Sequence, residues 1–480
     1  MSDRPTMSRR QRLALLAVSL ATFMTYLDNN IVNVAIPDIQ RELQLDTAGL
    51  EWVVSAYILT FSALMLMGGR LADLLGRRRI LVIGLVVFGA SSLAAGLASS
   101  AEMLIGARAI QGVGAALVTP TTLAIISATF TDTRMRNAAV AVWGSVSAVS
   151  VALGPLLGGV FTQYVSWGWI FFVNVPVGII AIVLTLAAVD ESRASGAAGV
   201  DIPGLSLSVV TLSALTFALI QGHGLGWTSW PILVAFTIAA LSAMAFLRVE
   251  RRSNAPMIDL TLFRSRPYSG GLVALMLFAF GLFGIYFFTS LYVQGVLGFS
   301  PTKAGLAFLP MAVCMVIGSA LSDRVAERFG PHRSVSTALL LMGSGIASVS
   351  LLGADTDFIG LMPSFVVVGM GGGLTISLTA SVLSHMPAEQ SGIGSGIFNA
   401  SREVAALLGI TVLGAILTAQ QQSSLRTGAP PMDAFLDGFR VAVLIAGILV
   451  AAGGLVAWYA LRPTRERIEV PVAAPSALAS

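Results

Sequence analysis

Asp28 is a carboxylate inside a long apolar run, residues 13–36. An acid in hydrocarbon is expensive unless it faces a cavity or finds a partner. Such a group suits chemistry in which a proton is gained and lost once per cycle. The competing reading is a purely structural polar anchor. Arg108 is a buried charge of the opposite sign, in the fourth apolar run. With Gln111 it should lie at about the depth of Asp28, at a rise of about 1.5 Å per residue. An acid and a base at one level in lipid should pair or share a cavity. We expect protonation of Asp28 to change its interaction with Arg108 and so bias a conformational equilibrium; a static salt bridge between helices is the alternative. Thr22, Thr25, Tyr26, Asn29 and Asn33 are expected to form an arc beside Asp28, at about 100° per residue, lining a water-filled centre.

A second set of residues could bind an apolar ligand. Met276, Phe280, Phe283 and Phe287 recur at i, i+3/i+4 spacing and would share a helix face. They could wall a cavity for a bulky hydrophobic compound, or simply pack. Arg402 and Glu403 point about 100° apart near the inner end of a late run, as an inner gate, a second proton group or an interfacial pair. The three histidines, His223, His332 and His385, lack metal-ligand spacing. No metal or cofactor is expected.

The elements that must position these residues are membrane helices. Of the 480 residues, 56% are hydrophobic and 11% charged, far below the roughly 25% of a soluble domain. That excludes a water-soluble enzyme. Fourteen apolar runs are long enough to cross a bilayer, at about 20 residues each. An all-α polytopic fold follows, because a helix satisfies its own backbone in lipid. The only lysine, Lys303, follows Pro301-Thr302, so there is no Walker A sequence to hydrolyse ATP. The net charge of +4 comes almost wholly from arginine. Arginine is biased about five to one toward alternate loops and both ends. Orientation in a membrane explains that bias better than nucleic-acid binding, and it places both termini in the cytoplasm.

The chain also repeats itself. Leu71-Ala72-Asp73 with Gly76-Arg77-Arg78 is echoed 250 residues later by Leu321-Ser322-Asp323 with Arg324 and Gly330. Two six-helix, pseudo-symmetric bundles with two inserted helices are the simplest reading. The expected divisions are a cytoplasmic N-terminus (1–12), a first bundle (13–189), an inserted pair with its linkers (190–266), a second bundle (267–461) and a cytoplasmic tail (462–480). Repeats of this kind suit a transporter whose halves rock around a central site.

Five stretches resemble the major facilitator superfamily, in particular its fourteen-span drug:proton antiporters. They are Leu27–Pro37 in span 1, Gly69–Arg79 after span 2, Arg108–Ala116 in span 4, Gly154–Gly159 in span 5 and Trp167–Pro176 at the entry to span 6. Two positions depart from the family pattern, Asn30 for its usual threonine and Gly168 for its usual arginine. The resemblance implies that Gly69, Asp73, Gly76, Arg77 and Arg78 form a conformational latch, and that Arg108 is linked to proton coupling. It also implies that Gly154, Pro155, Gly158 and Gly159 mark an exporter. The function expected is a proton-coupled antiporter in the plasma membrane, a monomer, exporting hydrophobic or amphipathic drugs or antibiotics. An importer, or a lipid or metabolite transporter on the same scaffold, is the alternative.

Overall fold

The computed structural model describes residues 7–194, 201–253, 258, 260–383 and 391–462, and all regular structure among them is helical. His385, Arg4, Arg465 and Arg467 lie outside the described residues. The first half holds α1 (Arg9–Leu43), α2 (Thr47–Leu75), α3 (Arg77–Gly96), α4 (Ala101–Thr129), α5 (Thr133–Tyr164) and α6 (Trp169–Ala188). Next come α7 (Ile202–Leu225) and α8 (Trp230–Arg252). The second half holds α9 (Arg266–Val296), α10 (Pro301–Phe329), α11 (Pro331–Val349), α12 (Phe358–Val382), α13 (Ser391–Arg426) and α14 (Pro431–Ala460).

Polar side chains set the ends of these helices. Asp46, Ser100, Asp132, Ser300 and Asp357 each accept from a backbone N–H in the first turn that follows. Ser8 and Gln11 form a capping box at the start of α1. Thirteen of the helices are long and apolar enough to cross a bilayer. The fourteenth, α11, has 19 residues and is diluted by serine and glycine. Those small residues let backbones approach. A Cβ on Gly343 would stand 2.6 Å from the carbonyl oxygen of Gly447, and one on Gly345 2.8 Å from the nitrogen of Val368.

The packing repeats with a period of eight helices. In the first half α1 packs along α5 and α6, α2 along α4, and α3 along α4 and α6. In the second, α9 packs along α13 and α14, α10 along α12, and α11 along α12 and α14. The halves meet along two seams, α2 with α13 and α5 with α10, which the same shift exchanges. That is the signature of a pseudo-two-fold axis between them. The inserted helix α7 packs on α2 and α13, over the first seam, and α8 packs on α7.

The second seam is sealed at the arginine-poor face. Thr302 N–H donates to Gln163 Oε1 at 3.1 Å, and Thr302 Oγ1 to the carbonyl of Gly159 at 3.2 Å. Nearby, Ser290 Oγ donates to the carbonyl of Asn33 at 2.6 Å and Gln294 Nε2 to that of Val34 at 2.9 Å. α5 can touch both halves because its small residues face two ways. Gly154 and Gly158 lie against α1 at Asn30 and Ile31, while Gly159 lies against Pro301 of α10. Nearer the arginine-rich face a cavity of about 360 Å³ opens between α1 and α5, lined by Phe23, Ala141, Val142, Ser145, Val146 and Val149.

This geometry separates two glycines of one helix. A Cβ on Gly158 would run into the backbone of Ile31, whereas one on Gly144 would meet nothing within 4 Å. Gly158→Val should lower stability by about 1–3 kcal/mol, the usual penalty for overpacking. Gly144→Val should leave it unchanged. Thermal unfolding in detergent, with the two variants side by side, reads the difference.

Candidate functional site

Asp28 lies fifteen residues from the end of α1, because the helix runs on past Pro37 to Leu43. It has no solvent exposure, and neither has Arg108. Arg108 Nη1 donates to Asp28 Oδ2 at 2.5 Å. Asp28 Oδ1 accepts from Gln111 Nε2 at 2.8 Å and from Asn174 Nδ2 at 2.9 Å. Gln111 Oε1 in turn accepts from Arg108 Nη1 at 2.7 Å. Ser92 Oγ accepts from both Gln111 and Asn174, at 3.0 and 2.9 Å, and donates to the carbonyl of Phe171. Arg108 Nε donates to the carbonyl of Val53 at 3.3 Å. The guanidinium lies 4.3 Å from the ring centre of Tyr57 and 5.6 Å from that of Phe171. The pair is therefore enclosed by α1, α3, α4 and α6, with α2 supplying Tyr57 and one carbonyl. Arg108 Nη2 and the Tyr57 hydroxyl are buried and have no hydrogen-bond partner.

This placement corrects the expected arc. At about 100° per residue, Tyr26 and Asp28 point about 160° apart and cannot share a face. Asp28 turns into its own half, and Gln111 goes with it. Thr22 and Thr25 are buried and donate to carbonyls of their own helix. Asn29 and Asn33 are 8% and 5% exposed, and Asn33 donates to the carbonyl of Asn30. Of the arc, Tyr26 reaches the second half. Its hydroxyl accepts from Arg402 Nη2 at 3.2 Å, and its ring meets Trp143 edge-on at 6.1 Å. The aromatic wall also differs from expectation. Phe280 and Phe283 are half-buried, but Phe287 is fully buried, its ring 4.8 Å from that of Phe288. Arg402 and Glu403 do pair, at 2.7 and 3.1 Å, because the long arginine chain curls back on its neighbour.

The latch residues assemble at the arginine-rich face. Arg77 bonds Asp73 at 2.9 and 3.2 Å across one helical turn. Gly76, at φ +116°, makes the corner between α2 and α3 in a conformation that side chains disfavour. The Glu191 carboxylate accepts from the backbone N–H groups of Arg78 and Arg79, at 3.1 and 3.2 Å, so it caps α3 from the segment after α6. Arg77 N–H donates to the Ser192 carbonyl and Ala194 N–H to that of Asp73. Gly69 makes only an ordinary contact with Pro120; the close approach to α4 is at Gly68.

The sequence profile of the Major Facilitator Superfamily matches residues 18–410. The chain belongs to that superfamily. It is 36% identical over 427 residues to multidrug resistance protein Stp of Mycobacterium tuberculosis, covering 87% of this chain and 78% of Stp. It is 33% identical over 453 residues to a methylenomycin A resistance protein of Streptomyces coelicolor, covering 94% and 92%. Among solved structures, a bacterial homologue of the human lysosomal transporter Spinster, in an inward-facing and unoccupied conformation, superposes with a TM-score of 0.68 at 16% identity. That match covers 95% of this chain and 98% of the other. At that identity the likeness shows the superfamily fold alone. This chain is a multi-pass membrane transporter, not an enzyme.

Three residues of the site have no role assigned from the sequence: Asn174, which lies within the Trp167–Pro176 stretch, Ser92 and Glu191. Asn174 carried the same signal as Asp28, a polar side chain within an apolar run. Ser92 carried almost none, since serine is ordinary in membrane helices. Glu191 sits in a linker, and only the fold brings it to α3. Losing a cap of this kind costs about 1 kcal/mol. Glu191→Ala should therefore speed amide exchange at 78–80 about five-fold and leave the core of α4 untouched, as hydrogen-exchange mass spectrometry would read.

Proposed function

We propose that this chain exports hydrophobic or amphipathic drugs or antibiotics in exchange for protons, with Asp28 as the proton-exchanging carboxylate. The observation that carries the reading is the fully enclosed Asp28–Arg108 pair. As an ion pair its charges cancel. Protonation of Asp28 leaves Arg108 as an uncompensated cation with no solvent exposure, a penalty of about 3–5 kcal/mol. At 1.4 kcal/mol per decade, that shifts a conformational equilibrium by roughly two to three and a half decades. The protonated protein leaves this arrangement for one in which Arg108 finds water or another partner. The ionised protein returns.

Other features support the direction and setting. The named relatives include a multidrug resistance protein and an antibiotic resistance protein. Within the small-residue stretch of α5, Pro155 and Gly159 lie at the seam that must open and close, while Gly154 and Gly158 let α5 lie close on α1. The arginine bias puts both termini and the cavity of about 360 Å³ on the cytoplasmic side of a plasma membrane. One chain holds both halves and the site, so a monomer suffices. The latch of Asp73, Gly76, Arg77, Arg78 and Glu191 stabilises the first half as it moves.

Two variants test the mechanism. In proteoliposomes with an imposed pH gradient, Asp28→Asn should lower proton-coupled drug movement at least ten-fold, with drug and pH followed together. Antiport at the wild-type rate would overturn the assignment. Arg108→Gln strands the buried carboxylate and should destabilise the protein by about 3–5 kcal/mol. Adding Asp28→Asn to it should restore thermal stability but not transport.

A further inference from the structure

The substrate side of the cycle needs a polar anchor distinct from the Asp28 pair, which is sealed. The interface between the halves presents one. Asp28, Glu51 and Glu403, carboxylates well inside α1, α2 and α13, are 0–3% exposed. The Arg402 side chain is 25% exposed, while its partner Glu403 is 2% exposed. The charge that this interface offers to a ligand is therefore positive. Its surroundings are aromatic. Tyr26 lies 5.7 Å from the guanidinium and leans on Trp143 of α5. Trp143 is held in turn by Thr122, at 3.1 Å. One turn from Tyr26 on α1 is Phe23, and beside Trp143 on α5 are Val142 and Val146. All three line the apolar cavity between α1 and α5.

We propose that Arg402, framed by Tyr26 and Trp143, is the specificity-determining residue of the transport site. It selects aromatic amphiphiles whose polar end is an oxygen acceptor, such as a carboxylate, phenolate or quinone carbonyl, over those bearing a fixed cation. The apolar body occupies the slot lined by Phe23, Val142 and Val146. The acceptor replaces Tyr26 as the partner of Arg402 Nη2. A planar guanidinium offers paired N–H groups matched to such oxygens and stacks on aromatic rings, which an ammonium group does not. A permanently cationic headgroup meets a like charge at the same place and cannot use the buried Glu403 while Arg402 holds it.

This inference rests on the transport reading for its purpose but not for its test. The full-length protein in nanodiscs, at equilibrium and without a pH gradient, is titrated with three probes on one ring system. They are anthracene-2-carboxylate, its neutral amide and a trimethylammonium derivative, none with a quinone carbonyl, followed by calorimetry. The carboxylate should bind at least ten-fold more tightly than the trimethylammonium compound. Arg402→Gln should erase that preference and leave the amide within three-fold of wild type. Arg402→Lys should keep the charge preference but weaken carboxylate binding. Equal or tighter binding of the cation, a preference that survives Arg402→Gln, or no binding of any probe would overturn the proposal. Thermal unfolding of each variant identifies misfolding, and Glu403→Gln, which keeps Arg402, must still prefer the carboxylate. Because no proton movement is measured, failure of Asp28 as the coupling group would leave these results unchanged.

Discussion

A carboxylate and a guanidinium taken completely out of water hold together only while each compensates the other. Asp28 and Arg108 are in that position, and much of the first half is arranged around their needs. α4 supplies Arg108 and Gln111, α6 supplies Asn174, α3 supplies Ser92, and α2 supplies a carbonyl and an aromatic face. Asp28 accepts from Arg108, Gln111 and Asn174. The same shell leaves Arg108 Nη2 and the Tyr57 hydroxyl without partners. The pair is held by five helices of the first half.

The pair lies inside one half, and the two halves meet along narrow seams. The eight-helix repeat in the packing gives two equivalent seams, and small residues allow close contact at both. At the α5–α10 seam Gly159 meets Pro301, and Gly305 meets Pro155. At the α2–α13 seam Gly414 receives Glu51. Contacts between backbones and glycines involve few interlocking side chains, so they can be broken and remade without repacking a core. Tyr26 is placed between the pair and the second half. It stands two residues from Asp28 on the same helix, and its hydroxyl touches the second half.

The fold was legible in the sequence because lipid leaves few options. Length, apolar runs and the arginine bias led to fourteen helices in two related halves, and the helices overrun the apolar runs only at their ends. α11 shows why hydropathy is an imperfect guide: Gly343 and Gly345 serve close packing at the expense of apolar character. The Asp28–Arg108 pair was legible because charges in hydrocarbon have few places to go. The facing of the other polar residues was not, since helix periodicity fixes relative angles but not which side meets which neighbour. Tyr26 and Asp28 were assigned to one cavity although their angular separation already set them apart. Phe287 has the same spacing signal as Phe280 and Phe283, yet only the tilt of α9 decides that it turns inward. Glu191 depended on two loops meeting, which no local pattern encodes.

The inserted pair makes the molecule lopsided. α7 lies across the α2–α13 seam, and α8 rests on α7, whereas among the described residues no helix pair covers the α5–α10 seam in the same way. The valine-lined cavity between α1 and α5 borders one of the two helices of that second seam. The two extra helices thus break the near-symmetry of the two halves on one flank alone.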